Sequence, residues 1–442
     1  MEPIAYLTVE VKHRELESRL LIAAHMLEAG FPVVVGQQWS LFTNVPALPP
    51  GVVLFKTVND IQATNMANFR KFGHKVAATD EEVLLCMEDI CFMLAFGPVA
   101  ANSCDMFLAQ SAHHKAAIAR KFPQLADKVE VVGNPRIDLL AFPGRASFEE
   151  EAKAIREEHG PFVLFNTNYG SINSIWKDIN RVAGIAAAAG AFDPKDPESV
   201  KSFQAQIDWE RRNFNEMLPL VKWAAANLPR HKIVLRPHPA ERPNFWQDAS
   251  AGASNVVVVP RSNPHPWILA ADLIVHTGCT TGLEAAFMDK RSVNIMPSKH
   301  PVFDRIVNWA NPTFATWQDA AAAITAYLDE GKGPIAENTG SYRDVLGEYF
   351  PGYSEGGAAR LIAEKLIQLL IRNGALPVKP YKLRFREPGF TPFPRHDALK
   401  DKMSISPEEC VALFEHLRRI HGLRATVQFQ AIDDSLFMLR PA

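Results

Sequence analysis

The feature that most constrains this chain is an alternation, repeated twice, of short apolar runs with longer segments of helical period. In the first series Ile4 to Val9 is rich in β-formers, and Arg14 to Ala29 carries apolar residues at helical spacing (Leu16, Leu20, Leu21, Ala24, Leu27). Gly30 and Pro32 stop that helix, and Val33 to Val35 is the next buried strand. Further strands are predicted at Val52 to Phe55, Lys75 to Ala78, Met106 to Ala109 and Val129 to Val132. A chain that alternates in this way buries its strands in a parallel sheet covered by helices on both faces.

Pro143-Gly144 ends the series, and Phe148 to His159 is a charged segment closed by Gly160-Pro161. It reads as a linker helix. The alternation then resumes at Phe162 to Phe165 and continues through Lys232 to Leu235, Val256 to Val259, Leu273 to His276 and Val293 to Met296. The expected division is a first domain over residues 1–145, a linker over 146–160, a second domain over 161–375 and a small α+β appendage over 376–442. Within the appendage Ser406-Pro407-Glu408-Glu409 starts a helix with a capping box. Two strands are expected around Asp433-Asp434.

The length of 442 residues suits two domains better than one core. A net charge of −2 gives no broad basic surface, which argues against nucleic acid as a partner. No apolar run reaches the ~18 residues of a membrane span, and the N-terminus reads as a first strand rather than a secretion signal. The five cysteines (Cys86, Cys91, Cys104, Cys279, Cys410) form no CxxC pair, so reduced thiols, a cytoplasmic location and no metal site are expected.

Chemistry-bearing motifs follow several strands. His276-Thr277-Gly278-Cys279-Thr280-Thr281-Gly282-Leu283-Glu284 runs from a strand through a glycine turn into a helix. The backbone N–H groups of such a helix start favour an anion, and Gly278 lets a phosphate approach. The hydroxyls of Thr277, Thr280 and Thr281 add donors, and Glu284 on the first turn could reach ribose hydroxyls. The blander reading is a threonine-capped helix that binds nothing. Arg236-Pro237-His238-Pro239-Ala240-Glu241 follows the strand Ile233 to Leu235. There His238 could donate to a phosphate or leaving group and Arg236 could pair with it; alternatively the run is a rigid turn with a solvated histidine. Asn166-Thr167-Asn168 could orient a ligand or simply form a turn. Gly133-Asn134-Pro135-Arg136-Ile137-Asp138 reads as a tight turn with an Arg–Asp pair. Asp80-Glu81-Glu82 could supply a general base, or merely acids at a helix start.

Taken in order, Glu10…Arg14-Glu15-Leu16-Glu17-Ser18, Asp80-Glu81-Glu82, Gly133-Asn134-Pro135-Arg136, Asn166-Thr167-Asn168, Arg236-Pro237-His238-Pro239 and His276 to Glu284 resemble the bacterial surface carbohydrate biosynthesis proteins. That group is similar to the Kdo transferases of lipopolysaccharide and capsule assembly. A thinner likeness links Glu81-Glu82, His238-Pro239 and Thr280-Thr281 to bacterial sialyltransferases, with Val83 where those carry glycine. The resemblance implies a GT-B-like α/β fold, two Rossmann-like parallel-sheet domains with a cleft between them. It implies a glycosyltransferase that uses a nucleotide-sugar donor such as CMP-Kdo, with no separate cofactor, and a glycan or glycolipid acceptor at the inner face of the membrane. His238, Asp80, Glu81 and Glu82 would be catalytic; Arg236, Thr277, Gly278, Thr280, Thr281, Glu284, Asn166 and Asn168 would hold the donor. Two rivals stand beside it: a CDP-glycerol-type glycerophosphotransferase, which shares the arginine–proline–histidine–proline run, and a non-catalytic scaffold of a polysaccharide assembly complex.

Overall fold

The computed structural model describes residues 4–80, 97–188, 192–259, 262–300, 310–338, 346–347, 349–350, 357–371, 405–433 and 435–442. Glu81 and Glu82 lie outside these residues, as do Cys86, Cys91 and the Pro-, Arg- and Phe-rich stretch beyond residue 380. In chain order the strands are β1 (Ala5–Val9), β2 (Val33–Gln37), β3 (Val52–Phe55), β4 (Lys75–Ala78), β5 (Met106–Ala109) and β6 (Val129–Val131). There follow β7 (Phe162–Asn166), β8 (Lys232–Arg236), β9 (Val256–Val258), β10 (Leu273–His276), β11 (Ser292–Ile295) and β12 (Thr313–Phe314). The tail adds β13 (Val427–Asp433) and β14 (Leu436–Pro441). The chain divides into two compact units, each built on one sheet.

The first unit carries the sheet β13-β14-β2-β1-β3-β4-β5-β6. β1 to β6 are parallel, because each β-run is followed by a helical crossover. On one face Leu16, Leu20, Ala24 and Leu27 of the helix Lys12–Glu28 pack with Ile362, Leu366 and Leu370 of the helix Ala358–Ile371. The tail therefore does not stand apart. Its helix Pro407–Ile420 is capped as predicted, the Ser406 hydroxyl accepting from Glu409 N at 3.0 Å, but the Glu409 carboxylate reaches Lys12 at 3.0 Å instead of closing a capping box. β14 then pairs antiparallel with β2 and covers what would otherwise be the sheet's open edge.

This corrects two expected boundaries. The helix Ala358–Ile371, assigned by sequence to the second domain, completes the core of the first, since its apolar stripe meets the stripe of Lys12–Glu28. The charged helix Glu149–His159 is no free linker. It buries Ala152 and Ile155, packs on the helix Pro264–Ala270, and ties Arg156 to Asp272 at 2.7 Å, all within the second unit.

The second unit's sheet has the order β12-β11-β10-β7-β8-β9, parallel throughout. From β7 the chain winds one way to β8 and β9, then returns to the other side of β7 for β10, β11 and β12. The reversal places a topological switch point between β7 and β10, where doubly wound folds open a crevice at the carboxyl ends of the strands. Among the described residues no helix is long and apolar enough to cross a membrane.

Candidate functional site

The carboxyl edge of the second sheet carries a polar row, one residue from each of five neighbouring strands or their ends. Asn166 stands in register with Arg236, His276 with Asn294, and Asn294 with Thr313. Strand interiors are apolar one step earlier, at Phe165, Leu235 and Val275. In β7, β8 and β10 the row is thus where the buried β-run runs out and side chains with hydrogen-bonding capacity begin.

At the switch point Asn166 Nδ2 donates to Thr281 Oγ1 at 3.1 Å, bridging β7 to the helix Thr280–Phe287 that follows β10. The other end of this amide, Oδ1, is buried without a partner. Cys279 occupies the position before the helix and supplies no side-chain cap. The threonine-capped reading therefore does not describe this helix start, and its first amides are uncapped. Thr280, half-buried at that first turn, has no hydrogen-bond partner among the described residues, and neither does the half-buried Asn168 beyond β7. Two of the expected donors are already committed: Thr277 Oγ1 to the Ile295 carbonyl at 2.8 Å, and the Gly278 amide to Asn294 Oδ1 at 2.7 Å. Gly278 is left-handed, with φ +50, which is what glycine supplies here.

Glu284 lies beyond the first turn and is buried rather than facing a ribose. Its Oε1 sits 3.8 Å from His265 Nε2, and its charge supports that of Arg236. Arg236 is drawn into the same cluster. Burial lowers its pKa, opposed by Glu284 and Cys279; one guanidinium nitrogen donates to the Ser262 carbonyl, while Nε is buried without a partner. His276 is wholly covered, both ring nitrogens unpartnered, and burial brings its pKa down to about 3, so it stands neutral.

The loop after β8 is held differently from what its sequence suggests. His238 is exposed, and its Nδ1 accepts from Ala240 N at 3.2 Å, which puts the proton of the neutral ring on Nε2. Glu241, a carboxylate that could orient the histidine ring or merely solvate the loop, is only 1% exposed and gathers four donors. These are Thr167 Oγ1 (2.6 Å), Trp246 Nε1 (2.9 Å), His238 N (3.0 Å) and Asn173 Nδ2 (3.3 Å). Glu210 does the same for the preceding loop, accepting from Ser171 N at 2.8 Å and Ile172 N at 2.9 Å, with burial raising its pKa. Sequence reasoning missed Glu210 and Asn294. The one available signal for Asn294 was a polar residue inside the predicted strand Val293 to Met296.

In the first unit Asp80 follows β4 as expected, but it is buried, 4% exposed. Asp138 is not paired with Arg136 in a turn. It accepts from the amides of Ala358 (3.2 Å) and Ala359 (2.7 Å) and so starts the returning helix. Among the described residues no cluster of His, Cys, Asp and Glu could hold a metal ion.

No family model matches the sequence, and no curated protein does. Solved structures do resemble the fold. A UDP-GlcNAc 2-epimerase from Neisseria meningitidis bound to UDP-GlcNAc covers 83% of this chain and 100% of its own, with 14% identity and a TM-score of 0.53. The S. aureus MnaA–UDP complex covers 84% and 98%, with 12% identity and a TM-score of 0.51. A variant of the wall teichoic acid polymerase TagF covers 84% and 90%, with 11% identity and a TM-score of 0.52. The fold is GT-B. At these identities the likeness speaks for architecture alone.

Proposed function

We propose that this protein transfers a sugar from a nucleotide-activated donor to a surface glycan acceptor, with CMP-Kdo as the donor. The observation that carries the reading is the uncapped start of the helix Thr280–Phe287 at the switch point, beside the unpartnered Thr280 hydroxyl and the Asn166 amide. Backbone N–H groups and a helix dipole aimed into a strand-end crevice suit a phosphate. Support comes also from two proteins of similar fold, whose structures hold UDP-GlcNAc and UDP.

In this reading Thr280, Thr281 and the first amides hold the donor phosphate, and Asn168 and the free Asn166 Oδ1 orient the nucleoside. His238 carries its proton on Nε2 and passes it to the departing phosphate, while Glu241 fixes the loop that presents the ring. Arg236, next to Asn166 in the row, lends positive potential. For the acceptor's base, only the family resemblance speaks, and it assigns Asp80, Glu81 and Glu82. The Arg236-Pro237-His238-Pro239 run also fits a CDP-glycerol donor, which makes the nucleotide screen discriminating.

The test is a thermal-shift series with CMP, CDP, UDP, GDP and CMP-Kdo. CMP compounds should raise the melting temperature of the parent, and Thr280→Ala should weaken them by ~1 kcal/mol, the worth of one hydrogen bond. The Thr280 side chain has no hydrogen-bond partner among the described residues, so the apo melting temperature should not move. A preference for CDP over CMP would move the assignment to glycerophosphate transfer. No response to any nucleotide would leave the scaffold reading in place.

A further inference from the structure

The loop and helix that follow β7 present a surface that the donor site does not use. Of the ten exposed large hydrophobic side chains among the described residues, four (Ile175, Trp176, Ile179 and Ile185) fall within eleven positions. The helix Ile179–Ala188 is apolar in composition, with Ile179, Val182, Ala183, Ile185 and Ala186, yet none of residues 179–187 is buried. A ten-residue helix is marginal in water by itself and normally persists by burying an apolar face. This one leaves that face to something outside the described chain.

Its base is firmly built. Ile175 N donates to the Ala240 carbonyl at 2.9 Å, Ser174 bridges Glu241, and Ser174 Oγ accepts from Trp176 N at 3.2 Å, so the chain turns outward at this point. Lys177 follows in a left-handed conformation, φ 59, unusual for a residue with a side chain. Arg181 stacks over Trp176 at 4.1 Å. Isoleucines, a tryptophan and flanking cations are the composition of a segment lying in a membrane interface.

Beside the patch is a cavity of about 600 Å³ whose charged lining is Lys177, Arg211, Arg242 and one acid, Asp178. Arg211 is paired with Asp208 at 3.1 Å, and the Asp178 carboxylate accepts from Asn180 N at the start of the helix. Lys177 and Arg242 have no ion pair among the described residues, and Arg242 Nε is buried without a partner. Phe214 and Phe245 line the cavity as well. Lys177 belongs both to the cavity and to the exposed patch, so an occupant that is anionic at one end and apolar beside it satisfies both.

We propose that Ile175 to Ala187 form a membrane-docking face and that the adjoining cavity seats the phosphate headgroup of an anionic phospholipid. The isoleucines and Trp176 enter the headgroup boundary, while Lys177 and Arg242 neutralise the phosphate. One short helix gives reversible binding that salt weakens. This inference does not rest on the donor assigned above.

The full chain should co-sediment at low salt with vesicles of phosphatidylcholine and phosphatidylglycerol in equal parts, and much less with phosphatidylcholine alone. Ile179→Asp with Ile185→Asp should weaken vesicle binding roughly tenfold or more, and Lys177→Gln with Arg242→Gln should erase the preference for the anionic vesicles. All four side chains lie at least partly in solvent, so melting temperatures and the nucleotide response should stay as in the parent, which separates this test from that of the donor site. Equal binding by parent and variants, or none by the parent, overturns the proposal. So does inorganic phosphate that raises the melting temperature through Arg242 without any vesicle binding, which would assign the cavity to a free anion. A parent that is dimeric by light scattering, made monomeric by Ile179→Asp and indifferent to vesicles, would show a second copy covering the face.

Discussion

At the scale of single residues, two neighbours in one motif have opposite physical standing. His238 is exposed and contributes a ring nitrogen to its own loop, whereas Glu241 is buried and satisfies four donors from three segments of chain. His238→Ala should keep the melting temperature within a few degrees and, if the ring is the general acid, slow turnover roughly 10²- to 10⁴-fold. Glu241→Ala strands Thr167, Trp246 and the His238 amide without an acceptor, and should cost about 3 kcal/mol or more of stability. Glu241→Gln, which keeps one acceptor oxygen, should fall between. Calorimetry of the three variants decides the matter: a Glu241→Ala protein as stable as the parent would mean that water replaces the carboxylate and the loop is not organised by it. Both residues were legible as letters in the sequence. Which one the fold depends on was not, because the donors to Glu241 come from positions up to 74 residues away.

At the scale of elements, the returning helix Ala358–Ile371 closes the core of the first unit, and a carboxylate remote in sequence starts it. Asp138 is buried, and burial raises its pKa to about 6 against the two amide bonds and Arg360, which lower it. The folded chain therefore holds this proton more tightly than the unfolded chain does. The associated stability is present below about pH 4 and is lost as the pH rises through about 6. Asp138→Asn cannot titrate. The parent's melting temperature minus that of Asp138→Asn should fall as the pH is raised from about 4 to 6; a difference independent of pH would show that the carboxyl is not perturbed. The strands of this unit were readable from period alone, as were the Ser406 cap and the β13–β14 pair. Their sheet partners were not, since β14 finds β2 some four hundred residues earlier in the chain.

At the scale of the molecule, three buried histidines act in the opposite sense to Asp138. Burial lowers the pKa of His74 to about 4, and of His114 and His276 to about 3, so each is neutral in the fold and protonates on unfolding. A group with a depressed folded pKa that gains a proton on unfolding stabilises the fold above its unfolded value near 6.5 and loses that contribution as the pH falls. Each can tilt stability by up to about 1.4 kcal/mol per pH unit below that point. The melting temperature should therefore drop steadily from pH 6.5 to 4.5, and His114→Phe should make the slope shallower. A flat profile over that range would mean that water or a partner reaches these rings.

What the sequence determined by itself was most of the strands and several of the helices, because strand and helix periods, glycine stops and proline starts are local properties. Two parallel sheets followed from the alternation, and so did the placing of the candidate motifs at strand ends. The tertiary structure decided what needs residues distant in the chain to meet. It moved the helix Ala358–Ile371 and the tail strands into the first unit, because their apolar faces match a stripe laid down by Lys12–Glu28. It spent Thr277 and Gly278 on internal bonds, left Thr280 and Asn168 uncommitted, and buried Glu284 against His265. A side chain's type says what bonds it can form; only the folded neighbourhood says which of them remain for a ligand.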